Sequence, residues 1–205
     1  MATMRVRRTL AIPLLVLFIT SCGRNRDETG APAEPVPAWA PDATLLEQLA
    51  PVQEVEGYQV RPPKGYAVSR HTGEVWGQTV YSWVGTRRPD HTAPSFLVMF
   101  LVPPPEMRND AKADRALLDK MLGGVKRRRT GWRQTDTERG QVNGLTFRRA
   151  RWSGTSLETE EKMQGFMYVA WDGAKIIAIS SQDVEPHHEQ PLKLAEAAAL
   201  TFKKK

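Results

Sequence analysis

Apolar and polar positions alternate from residue 57 onward in the manner of short strands. Tyr58, Gln59 and Val60, then Tyr66, Ala67 and Val68, flank the turn-forming run RPPKG. Residues 75–87, VWGQTVYSWVGTR, are rich in aromatic and β-branched side chains and predict another strand. Residues 95–102, SFLVMFLV, are apolar at consecutive positions between Pro94 and Pro103. Such a run predicts a central strand covered on both faces. Over 110–129 the period changes. Leu117, Leu118, Met121, Leu122 and Val125 fall on one helical stripe, Asp110 is placed to cap it, and basic residues stand at its C-terminal end. Gly123 and Gly124 predict that this helix stops early. Asn143-Gly144 is expected to join 132–142 to 145–152, and Asp172-Gly173 to join 165–171 to 174–180. Both dipeptides supply the positive φ values that two-residue turns need. Residues 191–202 predict a closing helix, with Leu192, Ala195, Ala199 and Phe202 on one face and Pro191 in its first turn. A short lead-in helix over 42–50 has Asp42 as its cap and Leu45, Leu46 and Leu49 on one side. The order is strands, helix, four strands, helix, an α+β layout around an antiparallel sheet.

The N-terminus follows a different rule. Arg5, Arg7 and Arg8 precede an uncharged apolar run over 10–19, interrupted only by Pro13. The run is shorter than the roughly 20 residues that span a bilayer, but it fits the apolar region of a secretory signal. The sequence Ile19-Thr20-Ser21-Cys22 that follows resembles the lipobox of bacterial lipoproteins. In that family the cysteine receives a diacylglycerol thioether and becomes the new N-terminus after cleavage. The resemblance implies a signal peptide over 1–21, lipidation of Cys22 and attachment to a membrane. Cys22 is the only cysteine of the chain, so lipidation would consume a thiol that would otherwise be left unpaired in a secreted protein. Two acyl chains suffice for stable anchoring. Gly23, where some bacteria place an aspartate to retain lipoproteins at the inner membrane, favours the periplasmic side of the outer membrane. Residues 22–41 carry prolines at 32, 35, 37 and 41 among alanines and polar residues, the composition of an extended tether. One domain is then expected over 42–205.

Charge changes this picture little. The chain is formally +6, and loss of the three signal arginines brings it to +3. No disulfide is available to the mature domain, so packing alone must hold its core.

The stretch GYQVRPPKGYAV, the apolar strand at 95–102, one helix, two turn-centred hairpins and a closing helix ending in LTF together resemble the Mog1/PsbP-like fold. The resemblance spans residues 57–202 and implies an antiparallel sheet sandwiched between helices. Members serve as an accessory of the photosynthetic oxygen-evolving complex, as a nuclear-transport GTPase partner, and as small bacterial lipoproteins. It therefore implies a role in binding or scaffolding rather than catalysis, and it transfers no functional residue.

The sharpest candidate chemistry is basic. Lys126, Arg127, Arg128 and Arg129 are followed by Arg133, Arg139, Arg148, Arg149 and Arg151, with Trp132 and Trp152 among them. Basic residues interleaved with aromatics can bind nucleic acid, but an exported chain meets little of it. The functional reading left is an anionic envelope component or an acidic protein face, drawn from Arg127, Arg128, Arg129, Arg148, Arg149, Arg151 and Trp152; Arg127, Arg128 and Arg129 should then lie on the same patch as Arg148, Arg149 or Arg151, with the helix end beside the first hairpin. The plainer reading is a solvated helix end plus arginine stems lying over apolar strand faces. His187 and His188, beside Glu185 and Glu189, lack metal-ligand spacing, and His71 and His91 are isolated. Glu158, Glu160 and Glu161 fit a solvated loop tip. Trp76, Trp83 and Trp171 fit sheet positions better than a sugar platform. No nucleophile, phosphate-loop or dinucleotide motif occurs, and no cofactor or metal is expected. Two functions follow as expectations. The first is a non-enzymatic envelope module that binds a protein or an anionic component. The second is a small-ligand-binding lipoprotein with a Trp/Arg-lined cleft.

Overall fold

The computed structural model describes residues 36–205 apart from 75–76 and 112–113, and leaves the side chains at 107, 110, 111 and 114 undescribed. Cys22, most of the tether, Trp76 and the proposed Asp110 cap lie outside these described residues. Asp42 does cap a short helix, α1 (Ala43–Leu46), by accepting the Thr44 amide at 2.9 Å. There follow β1 (Gln53–Val55), β2 (Tyr58–Val60), β3 (Ala67–Thr72), β4 (Thr79–Val84) and β5 (Ser95–Leu101). Two helices, α2 (Arg108–Ala111) and α3 (Asp114–Lys126), precede β6 (Arg129–Gln134), β7 (Glu138–Val142), β8 (Leu145–Ser156), β9 (Lys162–Trp171) and β10 (Ile176–Val184). The chain closes with α4 (Glu189–Leu200) and β11 (Lys203–Lys204).

The main sheet has the order β3-β4-β5-β10-β9-β8-β6, with β7 also on β8, and every pair in it is antiparallel. A small sheet, β1-β2-β11, lies apart from it. Alternation along the strands makes two cores. On one face Trp83, Phe96, Phe100, Phe147, Tyr168, Ile177 and Ile179 pack with Ala195, Ala198 and Ala199 of α4 and with Val55, Tyr58 and Val60 of the small sheet. On the other, Leu101, Ala150, Trp152, Met167, Val169, Ile176 and Ala178 meet Leu117, Leu118, Met121 and Leu122 of α3. This is the α+β arrangement anticipated, an antiparallel sheet between helices.

Several local expectations are corrected by packing. β5 is central, between β4 and β10, but its cover is unequal. Phe96, Val98 and Phe100 are buried on the α4 face, whereas Leu97 and Met99 are half-buried on the other. A helix of 13 residues is only about 20 Å long, and α3 lies over β8 and β9. That helix also continues through Gly123 and Gly124 to Lys126. Seating Leu118, Met121 and Leu122 on the sheet outweighs the ~1 kcal/mol that each interior glycine costs. Arg129 then opens a strand rather than ending a helix. Asn143-Gly144 forms the expected two-residue turn, with Val142 opposite Leu145 and φ of 47° and 86°. The second hairpin instead has a four-residue loop, because Trp171 pairs with Ile176. The Asp172 carboxylate accepts the amides of Ala174 and Lys175 at 2.8 and 2.7 Å and so shapes that loop. The last helix stops at Leu200. Phe202 leaves it to stack on Tyr58 at 4.9 Å inside the core, which delivers β11 to the edge of β2.

Candidate functional site

The period of two along β8 decides where the basic residues go. Phe147, Arg149 and Arg151 point to the α4 face, and Arg148, Ala150 and Trp152 to the α3 face. Neighbours in sequence therefore end on opposite sides of the sheet. The basic residues of β8 are thus divided between the two faces.

On the α4 face Arg149 is enclosed by partners. It donates to Glu138 at 2.7 and 2.9 Å, to the Tyr168 hydroxyl at 2.8 Å and to Glu196 of α4 at 3.3 Å. Arg151 donates to the other oxygen of Glu196. Burial opposes the charge on Arg149, but Tyr168 and Glu138 outweigh it and hold the guanidinium above its ordinary pKa. Burial, with the Glu196 carboxylate alongside, pushes the Tyr168 hydroxyl well above its ordinary range. The network is roofed by Trp39, a residue of the stretch read as tether. Its indole lies 4.0 Å from the Arg149 guanidinium carbon and meets Tyr168 edge-on at 5.6 Å. The backbone seats it: the Trp39 amide donates to Gln141 at 2.7 Å and the Gln141 amide to Pro37 at 2.8 Å, so residues 37–39 line the outer edge of β7. Gly140 leaves the room required. A Cβ there would stand 2.1 Å from the indole.

On the α3 face Arg129 closes a different cluster. It donates to the Val125 carbonyl at the end of α3 and to Gln182, both at 2.8 Å, and lies 4.2 Å over the Trp152 ring. Trp152 in turn stacks on Trp132 at 5.4 Å. Burial, helped by the neighbouring Arg128, pushes the Arg129 guanidinium down to about 10. Arg127 is exposed and Arg128 half-buried in the turn between α3 and β6. The helix end does sit beside β8, so Arg127, Arg128 and Arg129 share a face with Arg148 and Trp152 and not with Arg149 or Arg151.

Other polar groups serve packing. Asp183, 1 % exposed, takes a bidentate contact from Arg88 at 2.5 and 2.7 Å, which ties the 85–94 loop to β10. Burial and the nearby Asp183 carboxylate push the Tyr66 hydroxyl up to about 12. Tyr58 donates to Asp172 and joins the small sheet to the β9–β10 loop. His187 faces Asp90 at 3.6 Å, and Glu158, Glu160 and Glu161 occupy the β8–β9 loop. Trp83 is fully buried and Trp171 half-buried. Among the described residues no group of three or more His, Cys, Asp or Glu could hold a metal ion, and no helix is long and apolar enough to cross a membrane. Two surface depressions stand out. One, about 270 Å³, is lined by Leu46, Val52, Val60, Arg61 and Leu200 among others. The other, about 250 Å³, is lined by Arg149, Arg151, Lys193 and Glu196.

The sequence reading missed Trp39, Glu138, Tyr168, Gln182 and Glu196 as partners of the arginines. One signal was available: Trp39 is the lone aromatic among the prolines and alanines of 23–41.

No family model and no curated protein matches this chain. Solved structures do resemble it. LpqN, involved in cell envelope biogenesis of Mycobacterium tuberculosis, superposes with a TM-score of 0.51 at 10 % identity, over 82 % of this chain and 98 % of its own. The cyanobacterial PsbP of Synechocystis sp. PCC 6803 gives 0.48 at 11 % identity, over 87 % and 99 %. A Bacteroides thetaiotaomicron protein gives 0.44 at 11 %, over 73 % of this chain and 45 % of that one. At such identities the likeness speaks to the fold.

Proposed function

We propose that this protein is a lipid-anchored, non-catalytic accessory module of the bacterial envelope that works by binding another protein over its surface. One observation carries the reading: three of the arginines that stand out in the sequence, Arg129, Arg149 and Arg151, are engaged by partners within the domain. Arg149 and Arg151 are matched by Glu138 and Glu196, and Arg129 by a helix carbonyl, Gln182 and Trp152. A catalytic constellation needs polar groups left free to make and break bonds with a substrate. Division of the arginines between two faces favours a protein partner over an anionic surface, which would engage one face at a time. The envelope address rests on the export signal and on Cys22, with the outer membrane favoured by Gly23. The similarly folded LpqN, named for envelope biogenesis, is consistent with that address. A small-ligand reading keeps one support, the depression of about 250 Å³ between Arg149, Arg151, Lys193 and Glu196.

The test is location followed by binding. A fatty-acid analogue should label the full chain and not Cys22→Ser, which should leave the membrane fraction or persist as precursor. Normal labelling of the serine variant would overturn the anchor. The released domain should float with acidic vesicles no better than with neutral ones. Strong, salt-sensitive flotation would overturn the preference for a protein partner.

A further inference from the structure

The two edges of the main sheet are treated differently. At one, β7 is lined by residues 37–39, and β6 is broken by a register shift between Thr130 and Arg133, with Gly131 at φ 59°. Coverage and bulges of this kind keep an edge from pairing with foreign strands. At the other edge lies β3. Its six residues, AVSRHT, are all exposed and pair with β4 in unbroken register from Ala67↔Val84 to Thr72↔Thr79. It contains no proline, glycine, lysine or bulge, and among the described residues no strand lies along its outer side. Val68 is 56 % exposed there.

The geometry points to β3 as a strand-pairing interface between two copies of this chain, joined antiparallel about a two-fold axis centred on Ser69. Symmetry narrows the register. Hydrogen-bonded and non-bonded pairs alternate along an antiparallel ladder, so a two-fold axis normal to the sheet must set one residue opposite itself. Centred on Arg70, two guanidinium groups would face each other, which is unfavourable. Centred on Ser69, the seven positions 66–72 all pair. Val68 then meets Arg70 of the second copy, Ala67 meets His71, and Tyr66 meets Thr72. No like charges are directly opposed. Arg70 is already held by Glu56 at 3.1 Å and Tyr81 at 3.2 Å, which keeps its charge matched.

So short a contact is small beside the roughly 800 Å² per partner of stable complexes. Its strength in the cell therefore rests on the anchored, surface-binding reading above, because confinement to one membrane raises the effective concentration.

Directly opposed residues have Cβ atoms about 4.5–5.5 Å apart, close enough for a disulfide after slight adjustment. Ser69→Cys in the full chain should therefore give a covalent dimer under mild oxidation of cells. Thr72→Cys, equally exposed but six positions from its own copy in this register, should not. The unaltered chain, whose sole cysteine is Cys22, sets the background. Equal cross-linking of both variants, a product of Ser69→Cys with another protein, or no dimer from a chain found in the membrane fraction would each overturn the proposal. If the chain is not membrane-bound, the anchored reading fails by itself. The soluble chain at its highest attainable concentration should then still give the Ser69→Cys dimer, and its absence would overturn the interface too.

Discussion

Gly140 and Trp39 allow a test in which the sign of an effect, not only its size, is at stake. In a strand, Gly→Ala ordinarily stabilises by about 0.5–1 kcal/mol, because glycine loses more backbone freedom on folding. Gly140 has no left-handed φ that would forbid alanine. Its Cβ, however, would lie 2.1, 2.4 and 2.5 Å from three indole atoms of Trp39, so the ring must leave its seat. Leaving forfeits the cation–π contact with Arg149, worth about 0.5–2 kcal/mol, and the edge contact with Tyr168, worth about 0.5–1.5 kcal/mol. Trp39→Ala should thus cost about 1–3.5 kcal/mol, and Gly140→Ala about 0–3 kcal/mol after its own backbone gain. In the Trp39→Ala background the same glycine change should be neutral or stabilising. Urea unfolding of the four proteins measures this cycle, and heating should move Tm by about 2–4 °C per kcal/mol. If Gly140→Ala costs more than about 1 kcal/mol with Trp39 already gone, another neighbour sets the penalty and the seat is misassigned.

Three further outcomes are expected. Arg88→Leu or Asp183→Leu alone should destabilise by about 3–5 kcal/mol, and the double change by clearly less, since either single change strands a poorly solvated charge; equal costs in unfolding experiments would refute the coupling. Arg129→Gln should lower stability, through loss of the α3 carbonyl contact and the Trp152 stack, while Arg127→Gln at an exposed turn should leave Tm in place; the reverse ranking would mean the cluster is misread. Burial alone would raise the Asp172 carboxyl, but hydrogen bonds from Tyr58 and from the amides of Lys175 and Ala174 outweigh it and hold the pKa below 3.8. A depressed folded pKa contributes stability above the unfolded value that is lost as pH falls below about 3.8. Acid unfolding of Asp172→Asn should therefore be less steep in that range, and an unchanged acid profile would sink the assignment.

The sequence alone determined whatever depends on local period and local backbone chemistry. Asp42 had to cap a helix because its carboxylate reaches an orphan amide. Asn143-Gly144 had to turn in two residues because both accept positive φ. The apolar run before Pro103 had to be a central strand, and the stripe from Leu117 to Leu122 a helix with one apolar face. Tertiary structure decided wherever two distant segments compete for one place. Gly123-Gly124 stays helical because the sheet beneath holds α3 down. Phe202 ends α4 because a slot beside Tyr58 and Phe100 takes its ring. The candidate site was the least legible part. Arg148 and Arg149 read as one cluster along the chain, yet a strand turns successive side chains to opposite faces. Which face carries Glu196, which carries Trp152, and that Trp39 returns to cover Arg149, follow only from how β8 lies against α4, α3 and β7. A linear sequence records charge by position, whereas burial and pairing are settled by neighbours tens of residues away.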